Sequence, residues 1–79
     1  MVMPEDVEDY IRQGLECEHI EVKGDGRHFE AVIVSEVFEG KGMLQQQRLV
    51  FQALGDKMEV IHALAMKTFT PEQWNRQTK

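Results

Sequence analysis

The chain has 79 residues, 42% hydrophobic and 29% charged, with a formal net charge of −5 and one cysteine. This composition predicts one small globular domain over residues 1–79; it argues against disorder, an internal disulfide, and phosphate-driven nucleic-acid binding, which needs a basic face. No apolar run approaches transmembrane length, and the acidic N-terminus does not suit a signal or transit peptide, so a cytoplasmic protein with no membrane partner is expected.

Pro4-Glu5-Asp6 opens a helix, with proline in the first turn and two acids beside the positive end of the helix dipole. Val7, Tyr10, Ile11 and Leu15 follow at helical spacing, and Gly14 is placed to end the element. Cys17 falls in the turn that follows and reads as a small half-buried residue; alone, it cannot form a Cys-only metal site. His19 to Lys23 alternates as a half-buried strand, Gly24-Asp25-Gly26 is a strong turn signal, and Phe29 to Val34 is a second strand. The run Ala31-Val32-Ile33-Val34 predicts cover on much of both faces of that strand.

Glu39-Gly40-Lys41-Gly42 is a loop. Met43/Leu44, Val50/Phe51 and Leu54 mark an amphipathic helix over Met43 to Leu54, with Gly55 as its C-cap. Asp56 to Glu59 connects onward, with room for one extra helical turn, to a strand from Val60 to Phe69 with His62 at its mouth. The last helix is signalled by Thr70 as N-cap, Pro71 at the first helical position and Gln73 closing a capping box. Phe69 and Trp74 are placed to pack as a hydrophobic staple across it. The order is α-β-β-α-β-α.

The second strand, the long helix and the third strand form a β-α-β unit, which makes the two strands parallel if they are neighbours. Parallel neighbours start at one edge of the sheet, with axes about 4.8 Å apart. His28 opens one strand and His62 the other, so the topology brings two imidazoles together. His19 starts the antiparallel strand, lies at the opposite edge and is expected on the surface. Two histidines make an incomplete metal site, since zinc takes four protein ligands or three with a water. Nearby histidine pairs are also commonly structural.

Asp25-Gly26-Arg27-His28-Phe29, Val32-Ile33-Val34-Ser35, Phe38-Glu39-Gly40, Leu44, Arg48-Leu49-Val50, Ile61-His62-Ala63 and Lys67-Thr68-Phe69-Thr70-Pro71-Glu72-Gln73-Trp74 follow in order over nearly the whole chain. In that order and spacing the chain resembles the BolA family of small stress-response and iron–sulfur proteins. The resemblance implies a class II KH-like α/β sandwich, an α+β fold with a three-stranded mixed sheet. It also implies a monothiol glutaredoxin partner and a 2Fe–2S cluster bridged between the two chains, with glutathione supplied through the partner. In that picture His62 matches the constant ligand of the family and His28 stands where the second ligand is found, while Cys17 matches neither. No cofactor is expected in the isolated chain, which is read as a monomer, with a weak homodimer as the alternative.

No nucleophile–base set or phosphate-binding loop is apparent, so no enzymatic activity is expected. A non-enzymatic adaptor in iron–sulfur trafficking, assembly or iron sensing is the leading reading. The second is a KH-like nucleic-acid-binding transcriptional regulator of stress response and cell morphology. It would use Lys41, Arg48, Lys57 and Lys67 on DNA, but family members carry Arg-His-Arg where this chain has Gln46-Gln47-Arg48, which leaves two of those positions neutral. The KH backbone clamp, a GxxG loop between helices, is also missing.

Overall fold

A computed structural model describes residues 2–77. Three helices and three strands follow the expected order: α1 (Pro4–Gly14), β1 (His19–Gly24), β2 (His28–Val34), α2 (Met43–Leu54), β3 (Ala63–Phe69) and α3 (Pro71–Gln77). Two short 3-10 segments, Glu36–Phe38 and Gly55–Glu59, link them. The second is the extra turn that the connector allowed; the first carried no recognised signal. The sheet order is β1-β2-β3, antiparallel across the first pair and parallel across the second. This is an α+β fold with a mixed sheet.

Local chemistry sets the element ends. Asp6 accepts the Met3 N–H at 2.9 Å and so satisfies a free donor at the start of α1. α2 stops at Gly55, whose φ of 55° is a conformation that side chains with a Cβ resist. At α3 both halves of the capping box form: Gln73 N–H donates to Thr70 Oγ1 at 3.2 Å, and Thr70 N–H donates to Gln73 Oε1 at 2.9 Å. The Phe69 and Trp74 rings meet 5.5 Å apart, so the staple is present too.

α1 and α2 cover one face of the sheet. Val7 and Ile11 from α1 and Val50 and Leu54 from α2 bury against Ile20, Phe29, Ala31 and Ile33, with Phe38 and Ile61 closing the core. α1 and α2 pack closely because Gly14 has no Cβ; one built there would lie 2.7 Å from Ala53 Cα. The other face carries Glu21, Lys23, Glu30 and Lys67 and is exposed along its middle. α3 covers only its far end, where Trp74 stacks on His19 and packs at a tilt against Phe69.

Four expectations are refined or corrected. The cover expected over Ala31–Val34 is present, with Val32 half-buried, but it does not extend to the start of β2 on the open face, where Glu30 is exposed. The apolar stripe of α2 is narrower than expected: Val50 and Leu54 are buried, Met43, Leu44 and Phe51 are exposed, and Gln46 completes the buried row. A row at i, i+4 and i+8 faces the core whatever its polarity, and Gln46 belongs to that row. β3 starts at Ala63 rather than Val60, because residues 55–59 and the turn after them take up the preceding chain. His19 is not a free surface residue, since its ring stacks on Trp74 with centroids 5.0 Å apart and its Nε2 lies 3.5 Å from Glu21 Oε1.

Candidate functional site

The parallel register pairs His28 with Ala63, which places His62 immediately beside the start of β2. The imidazoles of His28 and His62 lie edge to face, with centroids 5.9 Å apart and planes at 90°. Both residues are exposed. The sequence-predicted meeting of two imidazoles at one edge of the sheet is therefore realised.

Each histidine is held by its backbone. The Asp25 carboxylate accepts the N–H groups of Arg27 and His28, both at 2.9 Å, while the His28 carbonyl accepts the Asp25 N–H at 3.2 Å. Those two N–H bonds, His28's first and Arg27's second, hold the Asp25 carboxyl below the usual aspartate range. Gly26 occupies φ 98° inside the turn. Gly24 matters for a different reason: a Cβ there would lie 2.4 Å from the Phe29 ring and 2.7 Å from the His28 carbonyl. His62 is clamped from both sides. Ile61 is only 4% exposed and anchors in the core, and the Ala63 N–H bonds to the Arg27 carbonyl at 3.0 Å.

Cys17 lies elsewhere. It is half-buried between α1 and β1, where the neighbouring Glu18 N–H bonds the Val34 carbonyl at the far end of β2. Six residue steps along β2 separate that end from His28, a span of roughly 20 Å. Burial pushes the Cys17 thiol up, against a smaller opposing pull from Arg12, and its Sγ–H points to the Leu15 carbonyl at 3.4 Å. No group of three or more His, Cys, Asp or Glu residues able to hold a metal ion occurs among the described residues.

The four candidate cations do not share one surface. Lys67 projects from the open face of the sheet, in the row Glu21–Val32–Lys67, away from α2 and its exposed Arg48. Lys57 sits 5.4 Å from the Tyr10 ring centroid, and Lys41 precedes α2. Of the positions read as neutralised, Gln46 is a buried structural residue. Its Nε2 donates to the carbonyls of Lys41 at 2.8 Å and Phe38 at 3.4 Å, and its Oε1 accepts from Thr68 Oγ1 at 2.5 Å. Gln46 is thus a core-facing position rather than a lost cation, and its spacing with Val50 and Leu54 is the signal for that.

The family model described as BolA-like protein matches residues 11–73, a span that contains both histidines and the whole sheet. The chain belongs to the BolA family. This BolA-family chain is 45% identical over 74 residues to BolA-like protein 2 of Mus musculus, covering 87% of this chain and 86% of that protein. It is 44% identical over 79 residues to Protein BOLA2 of Arabidopsis thaliana, covering 94% and 85% respectively. Among solved structures, a bolA protein homologue from Coxiella burnetii superposes with a TM-score of 0.85 at 44% identity, covering 96% of this chain and all of that one. No described helix is long and apolar enough to cross a membrane.

Proposed function

We propose that this BolA-family chain is a non-enzymatic adaptor that completes a 2Fe–2S cluster shared with a monothiol glutaredoxin. The observation that carries the reading is the pair of exposed imidazoles 5.9 Å apart, with no third metal-binding side chain grouped with them among the described residues. The donor chemistry fits: two histidine nitrogens on one iron are the Rieske arrangement. His62 and His28 would be this chain's ligands, and the remaining ligands would come from the partner and its glutathione. When bound, the cluster supplies electron-transfer or sensing chemistry; the protein's own task is to hold two nitrogens rigidly at an accessible edge.

Both donors are held through the chain: His62 sits between the buried Ile61 and Ala63, whose N–H bonds the Arg27 carbonyl. His28 is fixed through Asp25 in a surface turn. Trafficking, assembly and iron sensing are all served by such an adaptor. The nucleic-acid reading gains no support from the distribution of cations over both faces of the sheet.

Co-expression with a monothiol glutaredoxin, followed by visible absorption, circular dichroism and size-exclusion chromatography, tests the proposal. The wild-type pair should co-elute with a 2Fe–2S spectrum. His62→Ala should lose that spectrum or weaken it severely, and His28→Ala should leave a weaker or altered one. Cys17→Ala should behave as wild type. A cluster that survives His62→Ala and disappears in Cys17→Ala would overturn the ligand assignment.

A further inference from the structure

β3 is an edge strand with one side unoccupied, and its hydrogen-bonding pattern can be read residue by residue. The Ala63 N–H bonds Arg27, and the Phe69 carbonyl accepts from Ser35, each at 3.0 Å. Residues 63, 65, 67 and 69 therefore turn towards β2, because each residue of a parallel ladder turns its N–H and C=O the same way. Leu64, Met66 and Thr68 turn theirs outward, and no backbone partner outside the ladder occurs for them among the described residues.

Proteins usually protect such an edge with proline, a bulge, several charges or a short strand. β3 runs seven residues in unbroken register, contains no proline and carries one charge, Lys67. Side chains flank the edge on both sides. A shallow groove lined by Met43, Thr68, Phe69 and Gln73 continues it, joining the start of α2 to α3. Met43 is 71% exposed there, and Leu64 and Met66 are only half-buried along the same side of the strand. On the open side Lys67 ends the row Glu21–Val32–Lys67, and no ion pair involves it among the described residues.

We propose that the β3 edge is a docking site for an extended segment of a partner protein, added as a fourth strand. The segment alternates apolar residues, set against Leu64, Met66 and Met43, with acidic residues, one of which lies beside Lys67. Main-chain bonds to Leu64, Met66 and Thr68 provide affinity, and the two alternating faces provide selectivity. A second copy of this chain is the poorer occupant, because its β3 edge carries Lys67 and no acidic residue to set beside Lys67. The site needs no metal and no imidazole, so it stands apart from the cluster reading.

A blocked heptapeptide of alternating valine and glutamate, titrated into the isotope-labelled full chain, is the probe. The amides of Leu64, Met66 and Thr68 should shift saturably and exchange more slowly with solvent. A heptapeptide alternating valine and lysine should bind at least tenfold more weakly, and Lys67→Glu should reverse the preference. His28→Ala and His62→Ala should leave both results unchanged. The proposal is overturned if neither peptide binds, if the shifts lie away from β3, or if the preference ignores Lys67. It is equally overturned if these amides are protected without peptide in a concentration-dependent way, which would make the occupant a second copy.

Discussion

Replacing Gly24 by alanine tests how tightly the fold positions the histidine pair. The new Cβ would stand 2.7 Å from the His28 carbonyl oxygen and 2.4 Å from the Phe29 ring. Neither neighbour yields easily. Phe29 is 2% exposed and belongs to the core, while His28 is paired with Ala63 of β3 and tied to Asp25. Relief therefore requires the β1–β2 turn to open by several tenths of an ångström or more. Overpacking of this kind costs about 1–3 kcal/mol. In a domain of this size each kcal/mol lowers the melting temperature by about 4–8 °C. Thermal denaturation followed by circular dichroism reads the stability. The ring-to-ring nuclear Overhauser effect between His28 and His62 reads the site, and it should weaken as His28 moves away from β3. Unchanged melting with an unchanged Overhauser effect would refute the argument that the Gly24 approach sets the position of His28.

Thr70→Ala, with Pro71 and Gln73 kept, should cost about 1 kcal/mol through the lost N-cap bond, measured by chemical denaturation; an unaltered midpoint would deny the cap its role. Gln46→Leu keeps most of the buried volume but strips hydrogen bonds from Thr68, Lys41 and Phe38, so a loss of about 2 kcal/mol is expected. A double-mutant cycle with Thr68→Val should then show coupling between the two side chains, and strict additivity would speak against it. Asp25 predicts a pH effect of defined sign. Its folded carboxyl titrates below the ordinary aspartate range, so its turn-stabilising contribution is complete above that range and is lost as pH falls through the lowered folded value. The Arg27 and His28 amide shifts should follow this acid titration, and Asp25→Asn should abolish it.

Much of this protein is written in short-range chemistry that the sequence displays directly. Proline, acids and glycines at the helix ends, and the alternation in β1, depend on neighbours a few residues apart, and those elements stand where they were expected. The meeting of His28 and His62 was also legible, because a β-α-β connection between adjacent strands makes their starts coincide. What the sequence could not determine depended on contacts between distant segments. Which residues join Val50 and Leu54 against the sheet, Gln46 or Met43, Leu44 and Phe51, was decided by how α2 docks, and Gln46 enters the core with Thr68 and two loop carbonyls satisfying it. His19 stacks on Trp74 because α3 folds back over the far end of the sheet, a placement no local pattern encodes. The separation of Lys67 from Arg48 likewise followed from strand register, since a shift of one residue moves a side chain to the other face. Local propensities settle where elements begin and end, whereas which faces are buried is settled by packing among segments far apart in the chain.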